Sequence, residues 1–123
     1  MYLAGEPHRH KVDAQRVLER LIIDRKKLVT DAGVFQEILH RYVAIDRRVQ
    51  VHQAFETALG YLDEVFPISP ADVQRAKEIV LGTPSLSSRH AIHAAVMERH
   101  GIEEIASFDR GFDLLPGIRR LRS

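Results

Sequence analysis

The stretch Leu28-Val29-Thr30-Asp31-Ala32-Gly33-Val34-Phe35-Gln36-Glu37-Ile38-Leu39-His40-Arg41-Tyr42 decides the fold. Leu28 to Thr30 is a short β-prone run. Asp31 then offers its carboxylate as an N-cap, and Val34, Phe35, Ile38, Leu39, Tyr42 and Val43 come after it at helical spacing. A strand feeding directly into an amphipathic helix is the building unit of an α/β domain.

The same alternation extends in both directions. Upstream, Ala14, Val17, Leu18, Leu21 and Ile22 predict a helix from about Val12, stopped by the polar run Asp24-Arg25-Lys26-Lys27. Downstream, Val51, Ala54, Phe55, Ala58 and Leu62 predict a helix over 49–62, and Val65-Phe66-Pro67-Ile68 predicts a strand that Pro67 confines to a sheet edge. Ser69-Pro70-Ala71-Asp72 combines a capping hydroxyl, a proline at the first helical position and an acid at the third, and Gly82 closes that helix. Ser87 or Ser88 caps a nearly all-apolar helix running through Met97 to a stop at Gly101, so that helix is expected to be buried. Strands over 102–108 and 118–121 complete the pattern. The prediction is one domain, residues 1–123, with a mostly parallel sheet flanked by helices on both faces.

Composition narrows the function. The chain has 123 residues, enough for one hydrophobic core. With 18 Lys and Arg against 17 Asp and Glu, the net charge of +1 supplies no global field for a polyanion, so any RNA contact must be local. The absence of cysteine excludes disulfides and thiolate metal sites and is compatible with a reducing cytoplasm. No stretch is apolar and long enough for a membrane span, and residues 1–8 lack the build of a signal peptide, so a cytoplasmic protein is expected.

In parallel sheets, ligand sites gather beyond the carboxyl ends of the strands, where both Asp31 and Asp109 fall. Glu37 lies just past the Val34 edge of its helix's apolar face, so the core can anchor it while it points into a cleft. That suits a metal ligand or a water-positioning carboxylate; the bland alternative is a solvated Glu paired with Arg41 at i+4. Ser107-Phe108-Asp109-Arg110-Gly111-Phe112-Asp113 places two carboxylates four residues apart directly after a strand, the kind of oxygen cluster a hard divalent cation wants. His90, His93 and Met97 share one helical face, which raises a transition-metal site as an alternative to histidines satisfied within the core. Arg25-Lys26-Lys27, Arg47-Arg48 and Arg119-Arg120 with Arg122 are candidate phosphate contacts, or simply solvated helix ends, and no aromatic residue is interleaved among the arginines to stack a base.

Three segments, LVTDAGVFQEILHRY (28–42), LSSRHAIHAAVMERHGI (86–102) and IASFDRGFDLLPGIRRL (105–121), resemble the central and C-terminal motifs of VapC-type PIN-domain toxin ribonucleases, and the similarity spans nearly the whole chain. The resemblance implies a PIN-like three-layer fold and metal-dependent RNA endonuclease activity with Mg²⁺ or Mn²⁺. It also implies a cognate VapB-like antitoxin and a homodimer. In that family a Glu on the second helix, an Asp opening the buried helix and one or two Asp after the next strand join an N-terminal Asp around the cation. Those positions match Glu37, residue 90, Asp109 and Asp113. Two departures stand out. Residue 90 is His, which becomes a candidate ligand in the Asp's place. Met1-Tyr2-Leu3-Ala4-Gly5 resembles the segment downstream of the family's first strand, so that strand and its Asp are expected to be missing. A missing central strand predicts unpaired backbone in the interior and a start lying upstream of Met1. The departures imply impaired activity and set a second reading beside the first: a catalytically inactive PIN-like protein that binds antitoxin or RNA. A third reading is a zinc-regulated binding protein using His90 and His93.

Overall fold

The computed structural model describes residues 1–4, 19–20, 27–107 and 110–121. The expected first helix lies outside the described residues except for Glu19 and Arg20, which are helical. The described chain runs β1 (Tyr2–Leu3), β2 (Val29–Asp31), α1 (Ala32–Ala44), a 3-10 turn (Arg48–Gln50), α2 (Val51–Tyr61), β3 (Glu64–Phe66), α3 (Pro70–Gly82), α4 (Ser88–Arg99), β4 (Glu104–Ala106), a second 3-10 turn (Arg110–Leu114) and β5 (Arg119–Leu121). The strands form one five-stranded sheet, ordered β3-β2-β1-β4-β5, with every neighbouring pair parallel. β3 lies at the sheet edge as expected, but it runs Glu64–Phe66, so Pro67 follows the strand instead of lying within it.

Contrary to expectation, the sheet does not lack its first strand. Tyr2–Leu3 occupies the central place, with Tyr2 opposite both Val29 and Ile105 and Leu3 opposite Ala106. Two residues suffice because the flanking strands are themselves only three residues long. Met1 accepts from the Val29 amide at 3.0 Å and the Ala4 amide donates to Ala106 at 3.3 Å, so the interior backbone expected to be orphaned is paired. The strand is followed by Ala4 rather than by the family's acid.

Helix ends obey the local sequence. The Asp31 carboxylate accepts from the Gly33 amide at 2.8 Å and starts α1, while Ser69 and Asp72 form a reciprocal capping box at the start of α3. Of the two candidate caps for α4, Ser87 takes the role, accepting from the His90 amide. After α4, Gly101 adopts a φ of 66°, open to glycine without strain. The helix expected over 49–62 begins later, at Val51, because Arg47 and Gln50 provide no side-chain cap and the chain enters through the 3-10 turn.

Helix α4 is buried along most of its length because it packs on two sides. Toward the sheet, Val96 and Met97 join Tyr2, Val29, Phe66, Ile105 and Phe112 in the main core. Toward α3, Ala91 and Ala95 meet Ala76 and Leu86, and the small side chains allow a close helix contact. Burial of each large apolar side chain contributes about 1.5–3 kcal/mol. On the other face of the sheet, Leu28 and Ala106 pack with Met1, Leu3, Leu62 and Leu121. Among the described residues no helix is long and apolar enough to cross a membrane.

Candidate active site

Because the strands are parallel, the carboxyl ends of β1, β2 and β4 open on the same edge of the sheet, on either side of the point where strand order reverses. Such an edge is where α/β sheets bind ligands. Asp31 closes β2 there, and the chain leaving β4 leads through Ser107 toward Asp109.

Asp31 is fully buried, and both of its oxygens are used. Oδ1 caps α1 through the Gly33 amide, while Oδ2 accepts from the Tyr2 hydroxyl and lies 2.6 Å from His93 Nδ1. On the far side of the ring, His93 Nε2 lies 3.2 Å from Glu37 Oε1. A ring with a carboxylate at each nitrogen must donate on both sides, which describes an imidazolium. Burial pushes the His93 pKa down and is the largest single influence, but the hydrogen bonds and charges of Asp31 and Glu37 together outweigh it and raise the value to about 9. The Tyr2 phenol is pushed well above its ordinary range by burial first and by the Asp31 charge second, so it stays protonated and donates. Gly33 makes this approach possible. A Cβ there would stand 2.8 Å from Asp31 Oδ1, 3.1 Å from Ile68 Cδ1 and 3.5 Å from His93 Cε1.

The sequence-derived candidates separate into two groups. Glu37 sits where the helical wheel puts it, at the border of α1, and its side chain is 14% exposed. It turns toward His93. His90, 8% exposed, is packed against Phe112 with ring centroids 4.4 Å apart, beneath the 3-10 turn that carries Gly111 and Asp113. Asp113 is gripped by Arg120, with Nε to Oδ1 and Nη2 to Oδ2 both at 3.0 Å, and the same guanidinium reaches the Ser107 carbonyl at 3.3 Å. Arg120 thereby spans both ends of the segment holding Asp109, a residue that itself lies outside the described residues. The structure thus brings Glu37 together with His93 and Asp31, and Asp113 together with Arg120.

Glu37 suits a hard cation in kind, since one carboxylate oxygen is anchored and the other has no partner among the described residues. Asp31 does not, because its oxygens are consumed inside the protein. No group of three His, Cys, Asp or Glu side chains suited to a metal occurs among the described residues. The alternative site of His90, His93 and Met97 is opposed by the geometry: both His93 nitrogens face carboxylates and Met97 is sunk in the main core. Of the basic clusters, Lys27 pairs with Glu64, Arg119 with Glu104 and Arg120 with Asp113. Arg25, Lys26 and Arg122 lie outside the described residues.

Sequence reasoning reads Asp31 as a cap and His93 as structural, and it does not reveal the connection between them. The two lie 62 positions apart, and nothing in the sequence between them announces it. The one available clue is an acid, rather than Ser or Thr, at a cap the core would bury.

The same residues fall within a known family. The family model described as "PIN domain" matches residues 1–118. A VapC ribonuclease of Mycobacterium bovis and Ribonuclease VapC13 of Mycobacterium tuberculosis are each 53% identical over 121 residues, covering 98% of this chain and 92% of theirs. Ribonuclease VapC23 of Mycobacterium tuberculosis is 33% identical over 109 residues, covering 89% of this chain and 86% of its own.

Proposed function

The chain belongs to the PIN-domain family, with VapC-type relatives, and from that premise we propose that it is a metal-dependent RNA endonuclease, the toxin of a toxin–antitoxin pair. The observation that carries the reading is the largely buried Glu37 carboxylate at the strand-end edge, held by His93 at one oxygen, with the other unpaired among the described residues. We assign Glu37 and Asp109 as the acids that hold the cation, with Asp113, whose two oxygens Arg120 engages, and His90, in the place of the family's further Asp, completing or orienting the shell. Mg²⁺ or Mn²⁺ bound there would supply an activated water and charge neutralisation at the phosphodiester. The chain's own contribution is positional. His93 keeps Glu37 from swinging into solvent, and Arg120 ties down both ends of the segment bearing Asp109. RNA phosphates would be met by local basic side chains such as Arg47 and Arg48, since the net charge is only +1. A VapB-like antitoxin, a homodimer and action in the cytoplasm complete the reading.

A second reading, a catalytically inactive PIN-like protein that binds antitoxin or RNA, is favoured by one specific observation. Residue 90 presents an imidazole packed on Phe112 where the family pattern has an acid. Incubation of the purified protein with RNA and Mg²⁺ or Mn²⁺ decides between them. The enzyme reading expects cleavage that Glu37→Gln and Asp109→Asn each abolish. A parent protein that cleaves no RNA, with both variants indistinguishable from it, would overturn the enzyme reading.

A further inference from the structure

Resting on that assignment of Glu37, we infer that Asp31 and His93 are positioning residues: the buried Asp31 carboxylate fixes the His93 ring, and His93 holds Glu37 in its cation-binding orientation. Three elements converge to make this chain, with Asp31 at the end of β2, Glu37 on α1 and His93 on α4. The Asp31–His93 contact is short and enclosed, with the two side chains 0% and 2% exposed, and the His93–Glu37 contact is 3.2 Å and part-buried.

Capping alone does not account for Asp31. An uncharged Ser, Thr or Asn caps a helix as well, and without the cost of enclosing a carboxylate. Only Oδ1 serves the cap. Oδ2 serves the Tyr2 hydroxyl and His93, so half of the carboxylate is directed at fixing the imidazole. Core filling does not account for His93 either, because an apolar side chain would fill that space without needing two acids around it. The arrangement has the form of a carboxylate–histidine pair whose outer nitrogen addresses a functional group, here the Glu37 carboxylate. Gly33 is the accessory that leaves room for the Asp31 carboxylate, since a Cβ there would stand 2.8 Å from Oδ1.

The test uses the full chain and four substitutions: Asp31→Asn, His93→Gln, Glu37→Gln and Tyr2→Phe. Asp31→Asn keeps an oxygen for the Gly33 amide while removing the acceptor that orients His93. Mn²⁺ binding is measured by calorimetry, and RNA cleavage is measured as a function of Mn²⁺ concentration. Loss of a residue that orients a ligand weakens metal binding by about 10- to 100-fold, so Asp31→Asn and His93→Gln should each raise the Mn²⁺ dissociation constant and the half-saturating Mn²⁺ by at least about 10-fold. The cleavage rate at saturating Mn²⁺ should fall less. Tyr2→Phe should shift Mn²⁺ binding in the same direction by a smaller factor, and it supplies the test if Asp31→Asn does not fold.

Acting through Glu37 makes a sharper demand: in a Glu37→Gln background, Asp31→Asn should weaken Mn²⁺ binding no further. A merely structural Asp31 would give additive losses, and additivity overturns the inference. Parent-like Mn²⁺ binding by Asp31→Asn and His93→Gln, alongside loss in Glu37→Gln, also overturns it while leaving the Glu37 assignment standing. A parent that binds no Mn²⁺, or a Glu37→Gln variant that binds and cleaves like the parent, overturns both.

Discussion

Gly111→Ala is expected to destabilise the protein through one contact, with His90. A Cβ at residue 111 would lie 2.5 Å from His90 Nδ1 and 2.7 Å from Cε1, whereas relaxed contacts between such atoms are about 3.5–4.0 Å. The imidazole must therefore yield by roughly 1 Å, and it is pinned against Phe112, which is fully buried. Forcing one extra methyl into a packed site costs about 1–3 kcal/mol. Gly111 is not in the left-handed region, so no backbone strain is added, and stiffening of the unfolded chain returns about 0.4–1 kcal/mol. The net loss is about 1–2 kcal/mol, which for a domain of this size lowers Tm by roughly 3–8 °C. Urea unfolding of Gly111→Ala, His90→Ala and the double variant reads it. Removing the imidazole removes the clash, so the Gly111→Ala penalty should shrink by about 1 kcal/mol or more in the His90→Ala background. An equal penalty in both backgrounds, or none in the parent, would refute the packing argument.

Neighbouring contacts carry three more expectations. Arg99 is bidentate to Asp72 at 2.7 and 2.9 Å, and that hydrogen bonding holds the Asp72 carboxyl at about 2, below its ordinary 3.8. A lowered folded-state pKa gives stability that is present above pH 3.8 and lost as pH falls through about 2, so Asp72→Asn should flatten that part of the acid-unfolding curve; an unchanged acid limb would count against the pair. Arg120→Ala strips partners from Asp113 and the Ser107 carbonyl and should cost about 1–3 kcal/mol, with faster amide exchange expected across 107–113 and unaltered exchange there as the contrary result. His90→Asp restores an acid at the family position and should strengthen Mg²⁺ binding measured by calorimetry; unchanged binding would mean that a side chain at 90 does not reach the cation.

The local elements were legible because their causes are local. Asp31, Ser69 with Asp72, Ser87 and Gly101 each mark a helix boundary through the nearest backbone amides or a permitted φ, and Pro67 marks the edge strand. Strand lengths were less legible. The run from Ile102 to Phe108 reads as a strand, but among the described residues only Glu104–Ala106 finds ladder partners, over the three residues where β5 pairs with it. Tyr2–Leu3 was harder still. Too little sequence surrounds it to show periodicity, and its strand character comes from the two neighbours that bracket it.

Spacing along single elements determined the helices and the border position of Glu37, the alternation of elements gave the parallel α/β class, and the three motif segments carried the resemblance to the PIN-domain family. Tertiary structure alone decided what the charged residues face. Asp31 and His93 are 62 positions apart, and only the packing of α4 over the end of β2 makes one orient the other. The same packing aims His93 at Glu37, and the parallel pairing of β5 with β4 accompanies the turn of Asp113 onto Arg120. Hydrogen bonds at these distances depend on side-chain direction to within a fraction of an ångström, and that is a property of packed elements rather than of residue spacing.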